Sequence, residues 1–306
     1  MSIGIITHHD CLLHEMGLGH PESPGRISSI DHQIVQDGQN IEMRFFDAPK
    51  AEREQLYRAH DPDYVDSIFS ASPKQGMVAL DADTQMNTFS LDAALRAAGA
   101  VIEAVEMIQD EELKRAFCLV RPPGHHAEYA RAMGFCLFNN VMVGVAHARS
   151  LGAGRIAVAD FDVHHGNGSE DIVNRMDDVL LLSTFQHPFY PYSGVGTNNE
   201  KYLGVPLAAG STGDEFRKAV EHQWLPALED FKPDWLFISA GFDAHNADPL
   251  GGLNLTEADY AWVTRQLCDV ANKYAQGRVV STLEGGYNLD VLGKSVCAHL
   301  DVLLDD

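Results

Sequence analysis

The chain has 306 residues, 45% hydrophobic and 22% charged, enough for one large α/β domain with a sizeable core. Acidic residues number 44 against 22 lysines and arginines, a formal net charge of −22 that argues against unaided binding to nucleic acid or anionic membrane and is compatible with a cationic substrate. No apolar run approaches the ~18 residues of a membrane span. The start, Met1 to Ile6, lacks a basic stretch and an adequate apolar core, so no secretory signal is expected. The cysteines, Cys11, Cys118, Cys136, Cys268 and Cys297, follow no CxxC pattern and read as reduced thiols of a cytoplasmic protein.

In chain order, residues 2–6 read as a first strand, 11–26 as a Gly/Pro-punctuated loop, 27–37 as a helix and 45–49 as an edge strand. Asp61-Pro62 signals a helix start, with Tyr64, Val65, Ile68 and Phe69 at helical spacing. Residues 72–90 read as a long polar loop and 91–109 as an amphipathic helix. A strand at 116–120 and a loop-like 127–138 follow. The helix at 139–150 is apolar on most faces and so buried. A strand occupies 155–160, a short helix 168–175 and another strand 179–183. Residues 192–204 read as a Gly-rich loop and 212–230 as one helix. A strand at 235–240, a helix at 256–275, a strand at 278–283 and a helix at 289–302 complete the series. Strands alternating with helices predict an α/β fold, a mainly parallel sheet with helices on both faces. There is no repeat or interdomain linker, so the expectation is a single domain over 1–306.

The stretch from Ile156 to Gly168 starts as a buried strand and turns polar at alternate positions. In an extended chain Asp160, Asp162 and His164 point one way, with Phe161 and Val163 the other. Two carboxylates and an imidazole on one edge are costly without a cation, and a divalent metal such as zinc is the simplest partner; a solvated turn is the rival reading. In open α/β sheets ligands gather at the carboxyl ends of strands. Here those ends carry His125-His126, Asp160/Asp162/His164, Asp243 and Tyr287. Singly each is weak, and a histidine pair or a Gly-Gly-Tyr turn is more often structural. Together they predict a mononuclear centre with Asp162, His164 and Asp243 as ligands and one position left open. Such an ion lowers the pKa of water and polarises a carbonyl beside it. His125 and His126 would move the proton and Tyr287 would stabilise the oxyanion. Asp160 would orient a histidine without touching the metal. This is equipment for hydrolysing an amide or similar acyl bond.

These residues resemble the zinc-dependent histone deacetylase family, on the arginase/deacetylase fold, over nearly the whole chain. The motifs are His20-Pro21-Glu22-Ser23-Pro24-Gly25-Arg26, Arg121-Pro122-Pro123-Gly124-His125-His126, Gly134-Phe135-Cys136-Leu137-Phe138-Asn139-Asn140, Asp160 through Gly168, Ser239-Ala240-Gly241-Phe242-Asp243 and Glu284-Gly285-Gly286-Tyr287. The resemblance implies the same ligands, histidine pair and tyrosine, a substrate tunnel at Gly134, Phe135 and Tyr190, and Arg26 behind the site near an acetate exit. Tyr190 departs from the usual Phe. Asp83 aligns with a rim aspartate that holds substrate backbone. The family also implies zinc, with ferrous iron as an alternative, and a potassium ion caged by carbonyls of Asp160, Asp162 and His164 with Ser183. Asn167, where one branch has Asp beside the second histidine, resembles class II.

Polyamine-selective relatives carry a gatekeeper Glu after the last ligand; Leu250 stands there in Asp248-Pro249-Leu250-Gly251-Gly252. That favours removal of short acyl groups from lysine in peptides or proteins by a compact enzyme of bacterial type. An acetylpolyamine or other small-amide hydrolase is the alternative. A binuclear manganese ureohydrolase lacks its extra carboxylates here, since Gly166 stands at one of those positions. A silent acyl-lysine binding module is disfavoured because every expected catalytic residue is present. Other histidines read as structural or exposed, His20 and His187 being the exceptions to watch. A homo-oligomer is compatible with the composition.

Overall fold

The computed structural model describes residues 3–305. The apolar runs form β1 (Ile3–Thr7), β2 (Met43–Asp47), β5 (Arg115–Cys118), β6 (Ile156–Asp160), β7 (Val179–Gln186), β8 (Tyr202–Leu207), β9 (Trp235–Ala240) and β10 (Val279–Leu283), while β3 (Val78–Ala79) and β4 (Gln85–Met86) make a separate antiparallel pair. The eight-stranded sheet runs β2-β1-β5-β10-β9-β6-β7-β8, every neighbouring pair parallel. Parallel strands need crossovers, and the helices that supply them cover the sheet. Accordingly β5, β6, β7, β9 and β10 are buried at every residue, whereas the edge strand β2 is largely exposed.

The helices are α1 (Gly25–Gln36), α2 (Arg53–Leu56), α3 (Pro62–Ala71), α4 (Ser90–Gln109), α5 (Asn140–Ser150), α6 (Asn167–Val173), α7 (Gly213–Ala219), α8 (Leu225–Phe231), α9 (Glu257–Tyr274) and α10 (Leu289–Leu304). On one side α4 packs on α5 and α5 on α6; on the other α1 packs on α10 and α10 on α9. Caps follow the sequence signals. Asn139 accepts from the Met142 N–H, and Thr256 forms a reciprocal cap with Asp259.

Three expectations needed correction. The loop reading of 192–204 ended too late, and β8 was missed: Gly204 and Pro206 argue against a strand, yet an edge strand tolerates both because one side needs no partner. The single helix at 212–230 is interrupted by a π turn over Val220–Trp224, where the Leu225 N–H reaches the Val220 carbonyl. Pro226 has no N–H to give its own turn, and the chain widens just before it. The 72–90 loop contains the β3–β4 pair, too short for alternation to reveal, and the single-turn α2 was unsignalled for the same reason.

Two core histidines predict acid sensitivity. Thr264 gives its hydroxyl proton to the Tyr260 carbonyl, so it accepts from His299 Nδ1 at 2.6 Å, and Nε2 then accepts from Ser281 at 2.9 Å. His60 Nε2 accepts the Asn139 N–H at 2.9 Å. Both networks require neutral rings. Burial lowers His299 to about 3 and His60 to about 4, from an ordinary 6.5. As pH falls below about 6.5 the unfolded chain binds these protons first, so stability declines, by up to ~1.4 kcal/mol per pH unit for each ring, until the folded values are passed. Urea midpoints between pH 7.5 and 4.5 should fall more steeply for the parent than for His299→Gln. Equal slopes would remove His299 from the effect.

Candidate active site and metal centre

Strands β5, β10, β9 and β6 are consecutive in the sheet, so the polar residues after their carboxyl ends converge. Asp162, His164 and Asp243 offer ligand atoms that all lie within 4.8 Å of one another. His164 Nδ1 stands 3.1 Å from Asp162 Oδ1 and 3.2 Å from Asp243 Oδ2. Backbone donors fix the carboxylates: the Val163 N–H to Asp243 at 2.9 Å and the Gly285 N–H to Asp162 at 2.8 Å. A Cβ on Gly285 would lie 2.0 Å from Asp243 Oδ2 and 2.5 Å from Asp162 Oδ2, so only glycine lets this backbone approach the pair.

Asp160 turns away from the trio. Its Oδ2 accepts from His125 Nδ1 at 3.0 Å and its Oδ1 takes the Asp162 N–H at 3.1 Å. The alternation expected for Asp160, Asp162 and His164 therefore gives two jobs, because the strand ends at Asp160 and the chain leaves the pleat.

Asp160, Asp162, Asp243 and Glu284 are all at most 1% exposed. Burial and the neighbouring Asp162 charge lift Asp243 to about 7. Burial disfavours the His164 cation, but its hydrogen bonds to the Asp162 and Asp243 carboxylates outweigh it and raise the ring to about 10. The trio on its own thus retains a proton where a divalent cation would neutralise the carboxylates. Two buried carboxylates and an imidazole with converging ligand atoms fit such an ion.

The two histidines differ. His126 Nδ1 donates to Asn167 Oδ1 at 2.8 Å, and Asn167 Nδ2 is committed to Glu128 at 2.8 Å. That fixes the His126 tautomer and leaves Nε2 as the acceptor. Burial, then the His125 and His164 charges, push His126 well below the ordinary histidine range. For His125 burial is outweighed by Asp162 and Asp160, which favour its cation. Glu284, for which the sequence reading gave no role, takes the Gly124 N–H at 2.6 Å and the His125 N–H at 3.1 Å, so it holds the backbone that carries the pair.

A cavity of about 290 Å³ leads to this cluster, with Phe135, Phe189, Tyr190 and Leu250 as its apolar walls and His126, His164 and Tyr287 among its polar groups. Asp83 and Gly134 line it too. The Gly134 N–H donates to Asp83 at 3.1 Å, and the Phe135 N–H to Thr84 Oγ1 at 3.0 Å. These bonds hold Phe135 at φ 68°, a left-handed conformation costly for a bulky side chain. Phe189 was missed from sequence; it stacks on His164 with ring centroids 5.4 Å apart. The aromatic run before Pro191 was its only signal. Phe135 meets Tyr287 edge-on at 5.9 Å.

Arg26 is fully buried behind Tyr287, its guanidinium carbon 4.9 Å from that ring, and donates to the Gly286 carbonyl at 2.7 Å. Glu22 pairs with both Arg26 and Arg121. Ser183 Oγ is buried without a partner among the described residues. His20 packs edge-on against Phe135 at 4.7 Å, whereas His187 does not line the cavity.

Comparison with known proteins bears on this geometry. Residues 20–303 match the histone deacetylase domain. A probable deacetylase of Archaeoglobus fulgidus is 35% identical over 95% of this chain and 82% of its own length. A histone deacetylase-like amidohydrolase of Pseudomonas aeruginosa is 36% identical over 88% of this chain and 73% of its own. Histone deacetylase 5 of Arabidopsis thaliana is 37% identical over 99% of this chain, which spans only 49% of that relative's length. The solved HDA15 HD domain superposes with a TM-score of 0.92 at 35% identity, covering 99% of this chain and 88% of that one. Since the matched domain takes in all four converging strand ends, the chain belongs to the histone deacetylase family.

Proposed function

We propose that the protein is a zinc-dependent deacylase that removes acetyl or other short acyl groups from the ε-amine of lysine in peptides or proteins. The observation that carries this reading is the approach to the Asp162–His164–Asp243 cluster: about 290 Å³, walled by Phe135, Phe189 and Tyr190, with Leu250 where a cation-selecting carboxylate would stand. Such walls suit the alkyl stem of a lysine. These four side chains give a second ammonium no partner, although the Asp83 carboxylate in the same cavity and the overall acidity of the chain leave acetylpolyamines as the alternative substrate class.

Zinc held by the trio would lower the pKa of water and polarise the acyl carbonyl. His126, neutral and with Nε2 free, takes the proton from the attacking water and returns it to the leaving amine. His125, whose cation Asp162 and Asp160 favour, would add positive charge beside the reacting atoms. Tyr287 donates its hydroxyl to the carbonyl oxygen as charge develops there. Asp83 in the cavity lining would accept substrate N–H groups, and Arg26, buried behind Tyr287, would stand near the departing acetate. The partnerless Ser183 Oγ supports a potassium ion beside the carbonyls of Asp160, Asp162 and His164. The five buried free cysteines support a reducing, cytoplasmic setting.

Steady-state hydrolysis of an acetyl-lysine peptide beside acetylputrescine and acetylspermidine, with and without a zinc chelator, tests the reading. The expected result is chelator-sensitive turnover, restored by zinc, with kcat/KM higher on the peptide. Higher efficiency on the polyamines would overturn the lysine assignment, and undiminished activity after complete metal removal would overturn the metal assignment.

A further inference from the structure

The segment after Asp243 and the turn that carries Tyr287 are joined by one carboxylate. Asp248 accepts the Leu250 N–H at 2.9 Å through Oδ1, and the N–H groups of Tyr287 at 2.6 Å and Asn288 at 3.1 Å through Oδ2. Its side chain is buried, 7% exposed overall. A second link runs beside it, from Asn288 Nδ2 to the Ala247 carbonyl at 2.7 Å. Asp248 does not line the cavity, but Leu250, two residues on, and Tyr287, across the link, both do. Tyr287 is thus held on two sides: by Asp248 at its backbone nitrogen, and by Arg26 at its ring and at the preceding carbonyl.

We propose that Asp248 is a positioning residue for deacylation: its carboxylate locks the Tyr287 turn to the Leu250 wall, so that the tyrosine hydroxyl and the acyl-lysine tunnel are set as one unit. The inference rests on the reading of Tyr287 as the donor to the carbonyl oxygen. A carboxylate is suited to the task because both oxygens accept, and bonds from N–H groups to an ionised acceptor are short and strong. An amide in its place has a single accepting oxygen. Its NH₂ would face an N–H on one side, and the link to either Leu250 or Tyr287 would be lost. A displacement of about 1 Å at the hydroxyl is enough to cost an order of magnitude or more in rate.

The test is a double-mutant cycle of Asp248→Asn and Tyr287→Phe, with zinc content and folded fraction measured for all four proteins. Asp248→Asn is expected to lower kcat by roughly tenfold or more when Tyr287 is present, and by no more than about twofold in the Tyr287→Phe background, because a residue acting through the hydroxyl has nothing left to position there. Equal losses in both backgrounds would mean that Asp248 supports only the fold, and no loss in the first background would mean that it positions nothing; either result overturns the proposal. Tyr287→Phe alone tests the reading beneath it: full activity there would overturn both, whereas a large loss there with additive Asp248 effects would overturn only this one. Should Asp248→Asn fail to fold, Asp248→Glu carries the same cycle, since it keeps two accepting oxygens and shifts them by one methylene away from the Leu250, Tyr287 and Asn288 N–H groups.

Discussion

Replacing His126 with alanine should lower kcat/KM by ~10²–10⁴ at neutral pH while the content of bound metal stays at the parent level, the range expected when a general acid–base group is lost. The size of the effect follows from how the residue is held. Asn167 can only accept the His126 Nδ1 proton, so Nε2 faces the cavity as a lone pair. Burial and the flanking His125 charge keep the ring neutral, the form a base must have. The sign of the pH dependence follows: acid protonates the base and activity falls. His126→Ala should lose that acidic limb. Stopped assays across pH 5–9 with metal analysis check both points. A variant that keeps the parental pH–rate profile would remove His126 from proton transfer.

Tyr287→Phe should lower turnover by ~10²–10³ with the bound metal retained, the loss expected for one donor to a developing oxyanion. The substitution deletes a single oxygen. The ring contacts to Phe135 at 5.9 Å and Arg26 at 4.9 Å do not need the hydroxyl, so the fold and the tunnel wall should survive. Burial raises the phenol well above its ordinary range, so it remains a donor throughout the working pH. Tyr287→Phe and His126→Ala should therefore differ in kind. The first lowers kcat at every pH, whereas the second also changes the profile. Turnover within about threefold of the parent in Tyr287→Phe would exclude the hydroxyl from the reaction.

Much of the site was legible before the fold was. Local periodicity marks the buried strands, and in a parallel sheet every strand delivers its last residues to the same edge, so polar residues after apolar runs point to the candidate ligands and the histidine pair together. Asp162, His164 and Asp243 could be proposed from that logic, and they are brought together. Elements whose sequence contradicts their environment were not legible. Pro206 sits in a strand only because that strand is an edge, and Pro226 follows a widened turn inside what otherwise reads as one helix.

What the sequence by itself determined was the alternation of strands and helices, the acidic balance and a set of candidate residues for the chemistry, because each depends on neighbours a few positions away. Only the tertiary structure decided how those residues divide the work. Asp160 faces His125 while Asp162 faces His164, and that choice is made where the chain leaves β6. Phe189 stacks on His164, Glu284 reaches the Gly124 backbone 160 positions earlier in the chain, and Asp248 links to a turn 39 positions later. Contacts across such distances exist only after the sheet order has been set. No local pattern encodes them, because the entropy of closing those loops is met by the core as a whole and not by the residues that touch.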